Sequence, residues 1–76
     1  MTTGINRLAA INNRGVAMLS DNTAWRIAPG LVAIAKTWAL GTKVAVEDHV
    51  HFYWKFRLVN LDNGEGVQAV PWTRGF

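Results

Sequence analysis

The nine residues "HFYWKFRLV", positions 51 to 59, alternate in character. Phe52, Trp54, Phe56 and Leu58 share one parity, while His51, Tyr53, Lys55, Arg57 and Val59 share the other. Successive side chains of a strand point to opposite faces, so the pattern predicts a strand running to Asn60 with the first set turned inward. The second set then lines an outer face at intervals of about 6–7 Å, two rises of roughly 3.3 Å each. That face carries cations and a phenol, and what it meets is the functional question.

Working outward, "LDNGEG" (61–66) is the clearest turn in the chain, because Asn-Gly and Asp readily supply the positive φ of a tight hairpin. "VQAV" then reads as a short last strand ended by Pro71, leaving "WTRGF" (72–76) as a tail on a single domain of residues 1–71. Upstream, "TKVAVE" has period two, with Val44 and Val46 inward and Lys43 and Glu47 outward, and "EDHVH" is a polar junction. The first strand starts near Ile5, with an untidy period, and ends at "NNRG". Val16–Leu19 pairs back on Ala24–Ala28 across the turn "SDNT", with Trp25 and Ile27 inward and Arg26 outward. After Pro29-Gly30 the period changes. Leu31, Ile34, Ala35 and Trp38 fall at i, i+3, i+4 and i+7, which predicts a short helix near residues 31–39 lidding a barrel end and stopped by Gly41.

The expected fold is therefore all-β in the main: a small SH3-like barrel of five or six short antiparallel strands with one short helix. An open, strongly curved sheet with the helix across one face places the same residues inside. Composition agrees with a packed domain. Half of the 76 residues are hydrophobic and 17% are charged, which argues against disorder. Without cysteine, neither disulfides nor a thiolate zinc site is available, so packing of four Trp, three Phe and the aliphatic residues carries the stability. No apolar run reaches the roughly 20 residues of a membrane span, and "MTTGINRLAAINNRG" lacks the layout of a signal peptide. The expectation is a cytoplasmic protein of bacterial or phage source.

Leu19, Asp21, Trp25, Ile27 and Pro29, then Trp38, Gly41, Val44 and Val46, then Leu58 and Asn60, spell L-x-D-x-x-x-W-x-I-x-P…W-x-x-G-x-x-V-x-V…L-x-N. This resembles a pattern of short, functionally uncharacterised bacterial proteins with small β-barrels and covers about two-thirds of the chain. The resemblance implies turns and core positions and carries no activity. Where such hairpins place Gly after the Asp, this chain has Asn22, a residue that tolerates the left-handed region.

Catalysis is not expected. Ser20, the single serine, sits in a hairpin turn, and nothing in the sequence brings it to His49 or His51. Asp21 and Asp62 lie in turns, while Glu47 and Asp48 flank a junction, so no acid pair faces a cleft. On a strand, His49 and His51 would share a side, with Glu47 in line. A structural zinc site takes four ligands, however, and no further His or Cys exists. No metal, cofactor or small-molecule substrate is expected, and no phosphate loop, since "DNGEG" lacks the Lys and following helix.

Binding remains. The net charge of +3 comes from bases spread along the chain. His51, Tyr53, Lys55 and Arg57, extended by Lys43 and Arg26, form the candidate binding face; rings that stack on bases beside cations suit single-stranded DNA or RNA. Trp, Tyr and Arg also anchor protein interfaces. Three tryptophans have inward assignments, whereas Trp72, beside Arg74 and Phe76, reads as a cap or as an interaction tail. The sequence thus points to a non-enzymatic module for another protein or a second copy of itself, with single-stranded nucleic acid as the alternative and no membrane partner.

Overall fold

Each strand of this protein is short because its turns are written tightly into the chain. The structure, a computed structural model, describes residues 5–73. The strands are β1 (Ile5–Ile11), β2 (Val16–Leu19), β3 (Ala24–Ile27), β4 (Lys43–Asp48), β5 (Phe56–Asn60) and β6 (Gly66–Pro71). All pair antiparallel in the order β1-β2-β3-β6-β5-β4, and β4 returns to β1 to close a small barrel. Closure leaves no continuous free edge along the sheet, which removes the usual template for strand addition.

The untidy period of β1 has a physical cause. Its first half pairs with β4, from Ile5 opposite Ala45 to Arg7 opposite Lys43, and its second half pairs with β2. Between Leu8 and Ala10 the register shifts. A bulge of this kind bends the strand and changes parity, so Leu8 and Ile11, three apart, both reach the core.

The other turns follow their residues. Asn12 Oδ1 accepts hydrogen bonds from the amides of Arg14 and Val16, and Gly15 completes that turn at φ +80°. Asp21 Oδ1 accepts from the Thr23 amide, and Asn22 adopts φ 69°, as its place in the turn predicts. Asn60, almost fully buried, accepts from the Asp62 amide through Oδ1 while its carbonyl takes the Gly64 amide. Its polar groups are thereby satisfied, which burial requires.

The segment between β3 and β4 is helical but shorter than the stripe suggests. A single 3₁₀ turn over Pro29–Leu31 leads into α1 (Val32–Lys36), and Thr37 ends it by donating its hydroxyl to the Ile34 carbonyl. The helix stops well before Gly41. The stripe itself is right: Ala35 and Trp38 belong to the core, and Leu31 and Ile34 pack against it.

That core holds Leu8, Leu19, Ile27, Val44, Val46, Leu58 and Val67 with Trp25 and Trp38. Phe56 packs edge-on against Trp25, ring centroids 5.2 Å apart. The Trp38 indole donates to Glu65 Oε1 at 2.8 Å, tying the β5–β6 turn to the core. No helix among the described residues is long and apolar enough to cross a membrane.

One expectation is corrected. Residues 51–55 are not part of a strand; β5 begins at Phe56. Phe52, assigned inward by parity, is 89% exposed, and Trp54 is only half-buried. The ladders to β4 and to β6 both stop at Phe56, opposite Asp48 and Ala69, and beyond it only Lys55 keeps a backbone bond, from the His49 amide. Alternation without a partner ladder does not hold a strand. From Phe56 onward the parity holds for Leu58, which is buried, and Arg57, which is exposed, but Val59, assigned outward, is buried as well.

Candidate functional site

The β4–β5 connection, residues 49–55, gathers most of the exposed aromatic surface. Val50 is fully exposed, Phe52 is 89% exposed and Tyr53 is half exposed. Single exposed apolar residues are ordinary, but three in four consecutive positions form a patch that water does not favour. The patch is held in shape from within. The His49 amide donates to the Lys55 carbonyl at 2.9 Å, which closes the base of the loop. Inside it, His51 Nδ1 accepts from the amides of Tyr53 (3.1 Å) and Trp54 (3.0 Å).

This is the bonding of an Asx turn with imidazole in place of a carboxylate. The same chain uses Asn12 and Asp21 to take the amide two residues on, so the signal is an acceptor side chain two residues before a free amide. The His51 ring also stacks on Phe52, centroids 4.6 Å apart, and lies 6.2 Å from the His49 ring. Tyr53 meets Trp54 edge-on. The aromatic rings are thus braced against one another rather than splayed at random.

The expected basic face is distributed differently. His51, Tyr53 and Lys55 lie on the loop, while Arg57 stands on β5 opposite Glu47 of β4 and forms an ion pair with it at 3.5 Å. Both partners are well exposed, so the pair contributes little stability, yet it spends part of the positive charge meant for a ligand. Lys43 is on the same outer side of β4 as Glu47 but about 13 Å along the strand, four rises away; it lies opposite Arg7. Arg26, on β3, sits over the Trp72 ring, 5.5 Å from its centroid. The loop therefore collects Tyr53, Lys55 and His51, whereas Lys43 and Arg26 serve other neighbourhoods.

Trp72 continues the β6 pairing: its amide donates to the Ala24 carbonyl at 2.9 Å, and the residue is half-buried. The cap reading suits Trp72 better than a free arm. Arg74 and Phe76, the rest of the proposed tail, lie outside the described residues.

The polar groups considered for chemistry have other work. Ser20 Oγ accepts from the Arg7 amide and bonds to Asn6 Oδ1, neither of them a histidine. The Nδ1 lone pair of His51 is occupied by two amides, and Nε2 of His49 lies 2.9 Å from the Gln68 side-chain amide. Among the described residues no cluster of three or more His, Cys, Asp or Glu is placed to hold a metal ion, and no cavity opens.

No protein-family model matches this chain, and neither a curated protein nor a solved structure matches it. Function must be read from the geometry.

Proposed function

We propose that the protein is a non-enzymatic binding module, in keeping with an SH3-like reading of its barrel, and that it joins another protein or a second copy of itself through the loop 49–55. The observation that carries this is the exposure of Val50, Phe52 and Tyr53 on a loop whose shape is fixed by internal hydrogen bonds. A pre-shaped loop loses little entropy on binding, so more of the contact energy survives as affinity.

The size of the patch limits that affinity. The exposed parts of these three side chains amount to on the order of 400 Å², since a large aromatic offers about 150–250 Å². A standard interface takes about 800 Å² from each partner. The loop alone supplies about half, which favours a weak, reversible contact in the micromolar-to-millimolar range of Kd, roughly −4 to −8 kcal/mol.

Single-stranded nucleic acid is the second reading, favoured by Lys55 beside the exposed rings. The Glu47 carboxylate on Arg57 counts against it. Sedimentation velocity over a concentration series, alone and after Phe52→Ser, tests self-association. A mass that rises with concentration in the native chain and stays monomeric in the variant supports the loop as the contact. Titration with labelled single strands at low salt and at about 0.2 M tests the alternative, for which phosphate contacts demand a steep loss with salt.

A further inference from the structure

The tip of the loop, above the His49–Lys55 bond at its base, is held by a group that can change its hydrogen-bonding sense. Backbone amides only donate, so a ring nitrogen facing two of them must present a lone pair. His51 Nδ1 faces the amides of Tyr53 and Trp54 at 3.1 and 3.0 Å. The closed loop therefore accepts only the neutral ring with its proton on Nε2. Protonation would place an N–H on Nδ1, aimed at two further N–H groups, and both hydrogen bonds would be lost.

We propose that His51 is a proton-operated latch that holds the aromatic loop closed when neutral and releases it when protonated. Among side chains, imidazole is the one that ordinarily changes charge between about pH 5 and 8. Release would disperse the ordered arrangement of Phe52 and Tyr53 on which the proposed contact surface rests.

The neighbouring histidine differs. His49 Nε2 faces the side-chain amide of Gln68 on β6 at 2.9 Å. That amide presents nitrogen or oxygen according to which way it is turned, so it accommodates either state of His49. The two backbone amides at His51 cannot invert. The titratable and charged groups on the elements flanking the loop are Glu47 and Asp48 on β4, Arg57 on β5, and His49, Tyr53 and Lys55 within the loop; β6 contributes Gln68, which is neutral. Of these, Glu47 and Arg57 are paired with each other at 3.5 Å. Hydrogen bonding decides which ring state the closed loop accepts.

The structural part of this inference stands without a partner; only its consequence for binding rests on the proposed contact surface. The test is nitrogen-15 NMR of the full chain from about pH 8 to pH 5. At the upper end, the His51 nitrogens should show the Nε2–H tautomer, and the Tyr53 and Trp54 amides should have hydrogen-bonded shifts. Both amide shifts should move together to open-loop values as the ring gains its proton. His51→Asn keeps an acceptor oxygen with no titration, so its amides should stay put across the range; His51→Ala should be open throughout, and His49→Gln should titrate like the native chain. An Nδ1–H tautomer at the upper end, or an Asn variant that titrates like the native chain, overturns the latch. If the shifts move as described but Phe52→Ser changes no association, the latch stands and the contact surface falls.

Discussion

Gly15 joins the β1–β2 turn, β3 and α1, and replacing it tests the packing of the helix on the barrel. Its φ is +80°, its carbonyl accepts the Ile27 amide at 2.8 Å, and a Cβ built on it would lie 2.7 Å from Val32 Cγ2. Gly15→Ala therefore meets two costs. A left-handed L-residue costs about 1–2 kcal/mol, and forcing a methyl into filled space costs about 1–3 kcal/mol. The narrower unfolded ensemble of Ala returns about 0.4–1 kcal/mol. The net loss should be about 2–4 kcal/mol, a large share of the ~4–11 kcal/mol that 76 residues ordinarily command.

The two costs can be separated through Val32. Val32→Ala alone removes two half-buried methyl groups and should cost about 1 kcal/mol. In the double variant the overlap is gone and the backbone cost stays, so the pair should be more stable than the sum of the singles by about 1–3 kcal/mol, the size of the overlap itself. Urea unfolding followed by tryptophan fluorescence gives each midpoint, and an unchanged slope would show that the exposed surface on unfolding is the same. Additivity within about 0.5 kcal/mol would refute the claimed contact between turn and helix. A harmless Gly15→Ala would refute the left-handed turn as well.

Three further outcomes follow from the burial and bonding. Leu58→Ala should cost about 2–5 kcal/mol, because Leu58 is buried among Val46, Val67 and their neighbours; Phe52→Ala should stay within about 0.5 kcal/mol, since it lies in solvent. Equal midpoints for the two in urea would contradict the inward and outward assignment. Trp38→Phe loses the indole–carboxylate hydrogen bond together with part of a buried ring, and Glu65→Ala loses that bond and the one from Asn63 Nδ2, so each should cost more than the ~1 kcal/mol of one hydrogen bond. Their shared bond should appear as a coupling of about 1 kcal/mol in a double-mutant cycle, and no coupling would contradict it. Trp72→Ala should lower stability by about 1–2 kcal/mol through the lost Arg26 stack and half-buried ring; no change in the thermal midpoint would mean that Trp72 is an idle tail.

The sequence makes the barrel legible wherever a residue acts through its own backbone or its own parity. Val44, Val46 and Leu58 alternate and are buried; Asn22 and the Asn-Gly turn take the positive φ their chemistry allows, at Asn22 and Gly64. It fails where the outcome depends on a distant strand. Residues 51–55 carry strong strand formers in alternation, yet the ladders to β4 and β6 both stop at Phe56, with a single further backbone bond from His49 to Lys55. Strand length in a sheet is a property of neighbours, and a single segment does not state it. The bulge of β1 is similar: "INRLAAI" shows a broken period, while only pairing with both β2 and β4 explains why. For the candidate site, the sequence shows Tyr53 and Lys55 as exposed residues. Strand parity turns Phe52 inward and makes His51 a face residue, because neither position states that it lies in a loop.

The central claim is that the loop tip at Phe52 is the surface other molecules meet. A photoreactive benzophenone side chain placed at position 52, with a matched substitution at the exposed Asp62 in the β5–β6 turn, tests it in the cell that natively makes the protein. The account predicts one discrete adduct from position 52, with the mass of a second copy or of one other protein, and none from position 62. No adduct from position 52, or the same adduct from both positions, would contradict it.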